Sequence, residues 1–371
     1  MELSAAQSGR FGVAFDWLGV ERAWTRTRGI PEVVIAIVDE GVQLDHPLLN
    51  ANIRRDAAGQ PSSAGSHEIP GTHAAGIAAG LQCDGQQFSG VAPGARILPV
   101  RFSSRAGTQA LDLPHAIEYA VEMGASIINV SQAMDLSLPG VRRAIQYAAT
   151  RNALVVCSAS DAHPGADAEG DMPNLITVAP VDEDLQPLTN YPDGAAHLAA
   201  PGFARVPDWR AAGHSSHVDS ALGAPYVSGC AALVKSLNPG WGYLEIKEHL
   251  LVSASTRNLL KNRCSSGALL NVAHAVLGPL EHAEAPVALT WSSLNDAELR
   301  WTLRYRSALC VNAVALYRPH GDQHWRELAF ARAVTHRMVI PADSLRRSSG
   351  TLRLACRDSN FHADDIELTI R

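Results

Sequence analysis

The chain has 371 residues, of which 46% are hydrophobic and 18% charged, and its formal net charge is −6. This balance is typical of a globular protein with a sizeable core, and the absence of a basic stripe argues against nucleic acid as the main partner. No apolar stretch of about 18 residues occurs, so we expect no membrane span. The amino terminus lacks a basic segment followed by an apolar run, so we expect no signal peptide.

Short apolar segments alternate with helical patterns over the first three quarters of the chain. Residues 33–38 form a continuous apolar run, which is typical of a buried strand, and residues 110–125 have helical spacing. This alternation predicts an α/β fold with a mainly parallel sheet covered by helices on both faces. Catalytic groups in such sheets lie at the carboxyl ends of the strands. Further strands are predicted at 95–102, 126–131, 153–160 and 175–181, and further helices at 138–152, 223–239 and 242–254.

The pattern of hydrophobic residues changes near residue 280. After a linker-like stretch at 277–288, short alternating segments predict a small all-β sandwich of about 90 residues. We therefore predict two domains, 1–280 and 281–371. Trp301, Tyr305 and Tyr317 are predicted to pack within the sandwich rather than to form a ligand platform. The last segment, 366–371, could pair as an edge strand with another chain.

The six cysteines are far apart and form no CxxC pair. Four of them stand in apolar strings, which predicts buried, reduced thiols. A disulfide is the alternative, with Cys310 and Cys356 as the favoured pair. Together with the expected lack of a signal peptide, this pattern predicts a cytoplasmic protein.

Several segments, in order from about residue 11 to 277, resemble the subtilisin-like serine proteases (subtilases). The stretch AIVDEGVQLDHPLL resembles the first catalytic segment and puts Asp39 at the triad aspartate. GTHAAGIAAG resembles the segment that follows the triad histidine, where this chain has Pro70. VVCSASDAH puts Asp161 at the oxyanion-hole asparagine, and DSALGAPYVSGCAALV puts Ala221 at the nucleophilic serine. SGVAPGARILPVRF and GALLNVAHAV resemble two further family segments.

The resemblance implies a subtilisin-like fold without the usual catalytic groups. In a triad, the serine attacks, the histidine moves the proton and the aspartate orients the histidine. Ala221 offers no nucleophile and Pro70 no base, so Asp39 has nothing to orient. A negative charge at Asp161 would repel a developing oxyanion. We therefore predict an inactive homologue, with none of the catalytic set intact.

Residues close to the altered triad positions suggest other catalytic or metal-binding sites. Ser220 and His73 could form a rearranged protease site, although both match positions that the family uses otherwise. The histidines and serines at 214–217 form a loose cluster close to Asp219, which we interpret as solvated loop residues rather than a metal site. Calcium is common in the family, but Asp84 alone does not make a site. We assign no metal site and predict no cofactor, and calcium binding stays open.

The family holds an extended peptide between two edge segments. The matching groove positions here are Ser103, Ser104, Arg105, Ser131, Gln132 and Ala133. We therefore predict a non-catalytic protein that binds a protein or peptide partner as a scaffold or regulator. The alternative is an enzyme with different chemistry in a cleft around Asp39 and Asp161. Homo- or hetero-oligomer formation stays open.

Overall fold

The computed structural model describes most of the first 278 residues and the strands that follow them. The described ranges are 13–54, 70–81, 89–103, 111–159, 172–193, 195–207, 214–261, 263–278, 289–295, 298–303, 310–320, 326–332, 337–339, 350–358 and 363–370.

Helices and strands alternate along most of the described chain. The helices are α1 Val13–Leu18, α2 Val20–Ala23, α3 Pro70–Ala79, α4 Leu113–Glu122, α5 Pro139–Thr150, α6 Gly223–Leu237, α7 Tyr243–Ser253 and α8 Val272–Leu277. The strands are β1 Val34–Asp39, β2 Arg96–Arg101, β3 Ile127–Val130, β4 Leu154–Ser158, β5 Leu175–Val181, β6 Leu198–Pro201, β7 Phe203–Pro207, β8 His214–Val218, β9 Ser255–Thr256, β10 Ala268–Leu269, β11 Leu289–Asn295, β12 Glu298–Leu303, β13 Cys310–Pro319, β14 Arg326–Arg332, β15 Arg337–Val339, β16 Gly350–Asp358 and β17 Ala363–Ile370.

The main sheet has eight strands in the order β2-β1-β3-β4-β5-β6-β10-β9. All neighbours pair in parallel except β10 and β9, which are antiparallel. Strands β1, β3, β4 and β5 are buried along their whole length, as their continuous apolar runs predict. The mainly parallel sheet expected from the sequence is therefore confirmed.

Helices cover both faces of this sheet, because alternate side chains of each strand point to opposite faces. On β1, Ile35 and Ile37 belong to a core that includes residues of α3 and α6. Ala36 and Val38 belong to a second core that includes residues of α4 and α5. The predicted two-faced arrangement is confirmed.

Local sequence signals set the helix starts near the site. Asp112 caps α4, since its carboxylate accepts a hydrogen bond from the His115 amide at 3.0 Å. Proline stands in the first turn of α4 and α5, and Pro70 is the first residue of α3. Proline is tolerated there because the first helical amide has no partner within the helix.

Strands β7 and β8 form an antiparallel hairpin that the sequence analysis did not predict. Its register pairs Ala204 with His217 and Phe203 with Val218. The prediction that residues 214–217 lie in a loop is therefore wrong. Pairing with β7 fixes the backbone of this histidine-rich segment.

The chain after residue 288 forms antiparallel sheets of three and four strands, β11-β12-β15 and β14-β13-β16-β17. Tyr317, on β13, is 2% exposed, as expected of a core aromatic, and β13 also contacts α7. The boundary at residues 280 and 281 stays a prediction. Tyr305 and the side chain of Trp301 lie outside the described part of the structure, so their packing in the sandwich stays a prediction.

The cysteine expectation is confirmed where the structure describes the side chains. Among the described residues, Cys157, Cys230 and Cys264 are buried and reduced. The side chains of Cys310 and Cys356 lie outside the described part. The helices that the structure does describe are all too short or too polar to cross a bilayer.

Candidate functional site

A cleft of about 340 Å³ opens at the carboxyl end of the sheet. It joins α3, the residue after β3, strand β8 and the turn before α6. The residues that line it are Pro70, His73, Ala74, Ser131, His217, Asp219, Ala221 and Leu222. The structure brings Pro70 and Ala221, from the predicted catalytic positions, together with Ser131, from the predicted peptide groove.

Asp39 ends β1 beside this cleft and is 1% exposed. Its Oδ1 accepts a hydrogen bond from the Glu40 amide at 2.8 Å. Its Oδ2 is buried and has no hydrogen-bond partner among the described residues. The start of α3 packs closely here, since a Cβ on Gly71 would lie 2.9 Å from the Asp39 Cβ.

The environment of Asp39 favours its neutral form. Burial raises its pKa from 3.8 to about 6, and the negative charges of Glu40 and Asp219 add to the rise. Hydrogen bonding from the Glu40 amide and from the Ser131 side chain lowers the pKa and offsets part of this rise. Burial therefore destabilises the ionised form of Asp39, and a fraction of the Asp39 carboxyl groups stays protonated near neutral pH.

A chain of buried hydrogen bonds connects this region to α6. Ser228 donates to Asn129 Oδ1 at 2.9 Å, and Asn129 Nδ2 donates to Ser131 Oγ, also at 2.9 Å. All three residues are buried. The network holds the Ser131 side chain in place at the cleft wall. Ser131 is therefore less free to move toward a peptide bound in the predicted groove.

We expect the Asp39→Asn variant to lack a pH-dependent loss of stability that the wild type shows. Because the folded-state pKa lies above the ordinary value, Asp39 stabilises the native protein below about pH 4, and that contribution is lost as pH rises through about 6. The loss amounts to about 3 kcal/mol. Urea unfolding from pH 3.5 to 8 measures it.

The exposed Asp45→Asn variant is the control for this measurement. Its stability should follow the wild-type curve across the whole pH range. Parallel curves for wild type and Asp39→Asn would contradict the account of Asp39.

Ala221 lies in a short 3₁₀ turn, Ser220–Leu222, directly before α6. Asp219 caps this turn, and its Oδ1 accepts a hydrogen bond from the Ala221 amide at 2.8 Å. The Ser220 hydroxyl lies 3.5 Å from the same carboxylate oxygen, and Ser220 is not among the residues that line the cleft. This cap was not predicted from the sequence, although an aspartate two residues before a turn amide is a recognised capping pattern.

Two histidines from distant parts of the chain meet in the cleft. The rings of His73, on α3, and His217, on β8, have their centres 4.6 Å apart at an interplanar angle of 47°. His73 is 7% exposed, and both residues line the cleft. Nothing in the sequence indicated that they meet, because the contact depends on the β7–β8 hairpin.

The remaining groove positions are only partly described. Ser103 follows β2, and its amide donates to the Leu111 carbonyl at 3.0 Å. Gln132 and Ala133 are exposed but do not line the cleft. The other predicted site residues, Ser104, Arg105, Asp161 and the calcium candidate Asp84, lie outside the described ranges.

Known proteins resemble this region in both sequence and fold. A family model described as the subtilase family matches residues 31–268. The thermophilic serine proteinase of Bacillus sp. (strain AK1) is 32% identical over 235 residues, which cover 61% of this chain and 57% of that protein. Thermitase of Thermoactinomyces vulgaris is 30% identical over 223 residues, which cover 58% of this chain and 78% of thermitase.

A solved structure gives the same result at the level of the fold. The prenylagaramide maturation protease PagA is 28% identical, with a TM-score of 0.54, and the match covers 70% of this chain and 98% of that one. The chain spans little more than half the length of the Bacillus relative. The family model covers well over half of this chain, and the eight-stranded sheet agrees with it. The chain therefore belongs to the subtilase family, with a subtilisin-like α/β fold.

Proposed function

We propose that this chain is a non-catalytic subtilase that binds a protein or peptide partner, as a scaffold or as a regulator of an active relative. The observation that carries the proposal is the composition of the cleft. Pro70 and Ala221 stand where the family resemblance puts the base and the nucleophile, and both line the cleft with hydrocarbon. The named relatives are proteases, so they support the fold and the place of the cleft rather than the loss of activity.

The surroundings of Ala221 are also unsuited to acyl transfer. A serine protease stabilises the oxyanion with preorganised hydrogen-bond donors. Here the amide of Ala221 already donates to the Asp219 carboxylate. The negative charge of the Asp219 carboxylate beside this amide disfavours the negative charge of an oxyanion at the same place. Losing the triad of a serine protease lowers kcat by roughly a million-fold, and this arrangement adds to that loss.

Protease activity can be tested with a small set of variants. We expect no labelling of the wild type by a fluorophosphonate and no hydrolysis of denatured casein above the protein-free rate. Ala221→Ser alone should stay unlabelled, because Pro70 leaves the new hydroxyl without a base. Wild-type hydrolysis that disappears in Ser220→Ala would overturn the proposal in favour of a rearranged protease site.

Partner binding can be tested with a photocrosslinking residue at Gln132. Gln132 is exposed and directly follows Ser131, which lines the cleft. The control carries the same residue at Glu122, exposed at the end of α4. In the native cells we expect one crosslinked polypeptide from position 132 and not from position 122. Equal crosslinking at both positions would contradict binding at the groove.

A second candidate function is an enzyme with different chemistry in this cleft. The observation in its favour is Asp39, whose pKa of about 6 suits general acid or base chemistry near neutral pH. A turnover that Asp39→Asn abolishes and Ala221→Ser leaves unchanged would favour this candidate. The cytoplasmic location stays a prediction, and oligomer formation and calcium binding stay open.

A further inference from the structure

The facing imidazoles of His73 and His217 are used by neither proposed function. They belong to different elements, α3 and β8, and the hairpin pairing of Ala204 with His217 holds the second one in place. Both face one cleft of about 340 Å³, which has room for an ion and its water ligands. Imidazole nitrogen is a preferred ligand of zinc, copper and nickel.

The separation of the two rings suits a shared ion. Each ligating nitrogen lies about 2 Å from a bound zinc ion, so two imidazoles on one ion have ring centres about 5 Å apart. The observed separation is 4.6 Å. Each imidazole has two ring nitrogens, so one can hold a hydrogen bond while the other binds metal.

The charges around the pair favour a cation. Asp219 lines the same cleft, and Asp39 lies beside it. We propose that His73 and His217 bind a divalent transition-metal ion, such as Zn²⁺, Ni²⁺ or Cu²⁺, in the cleft. Across the described ranges, no three His, Cys, Asp or Glu side chains converge as a metal-binding group. The ion therefore has two imidazole ligands and completes its shell with water.

The ion links α3 to β8 across the cleft. Because it binds the folded chain and the two histidines are far apart in the unfolded chain, it raises the melting temperature of the protein. Imidazole ligands select against Mg²⁺ and Ca²⁺, which prefer oxygen. MgCl₂ is therefore the matched negative probe.

The test uses the full chain with a tag that contains no histidine, stripped of metal by a chelator. Calorimetric titration with ZnCl₂ should show one site, and Cu²⁺ electron paramagnetic resonance should show two nitrogen ligands. His73→Gln and His217→Gln should each lower the affinity at least about tenfold and leave one nitrogen in the Cu²⁺ spectrum. His115→Gln, on α4 with its side chain 68% exposed, is the control and should bind as the wild type does.

The outcome decides the proposal even if one variant fails to fold. His73 is buried in α3, whereas His217 is only half-buried on β8, so His217→Gln decides alone if His73→Gln is unfolded by circular dichroism. Wild-type affinity and a two-nitrogen spectrum in folded His217→Gln would overturn the proposal. An equal effect of ZnCl₂ and MgCl₂ on the wild-type melting temperature would do the same.

Discussion

Gly71→Ala will lower the free energy of unfolding by about 3 kcal/mol or more. A Cβ at this position would overlap the carbonyl oxygen of Gly41 and lie 2.9 Å from the Asp39 Cβ. The first contact is with backbone, which cannot rotate away as a side chain can. The start of α3 must therefore move away from β1, and the cleft wall moves with it. Urea unfolding at neutral pH measures the loss.

The same substitution at Gly240 is the matched control. Gly240 is exposed and a Cβ there would meet nothing within 4 Å. Gly240→Ala should stay within about 0.5 kcal/mol of the wild type. If both variants lose the same stability, close packing between α3 and β1 is not the cause.

Tyr226→Ala will lower the free energy of unfolding by about 3 to 5 kcal/mol. Tyr226 is a large, fully buried side chain of α6. Its ring packs edge-on against Phe15 with ring centres 6.0 Å apart. Its hydroxyl donates to the Phe203 carbonyl at 3.0 Å. The alanine variant thus leaves a cavity and removes a buried hydrogen bond in the same place.

Two further variants separate these contributions. Tyr226→Phe keeps the ring and loses only the hydroxyl, so it should cost about 1 to 2 kcal/mol. Tyr147→Ala removes a half-buried ring on α5 and should cost clearly less than Tyr226→Ala. A Tyr226→Phe variant as unstable as Tyr226→Ala would show that the hydroxyl, not the ring, holds α6 in place.

The parts of the fold that follow from periodicity could be predicted from the sequence. Strand β1 and helix α5 were predicted close to their observed bounds, since burial on both faces gives an unbroken apolar run and burial on one face gives helical spacing. The β7–β8 hairpin was missed because the histidines and serines of β8 carry no such apolar pattern. Hairpin pairing depends on the partner strand, which lies outside any local window.

The candidate site could be predicted only where it lies in linear motifs. Asp39 and Ala221 were located from the segments that contain them. The contact of His73 with His217, and the cap that Asp219 makes on the Ala221 amide, arise from side-chain geometry after folding. The raised pKa of Asp39 likewise depends on burial under α3, which no local pattern contains.

The strand order of the main sheet also determines when the chain can fold. Parallel neighbours cannot be joined by a tight turn, and β6 obtains its partner β10 only when residue 269 has been made. Helix α6, which contacts β1, β3, β4, β5 and β6, is likewise synthesised after all of them. Such long-range pairing is typical of slow folding. During synthesis the face of β1, β3, β4 and β5 that α6 covers is therefore made before α6 is. At that stage the nascent chain is most prone to aggregate and most dependent on chaperones.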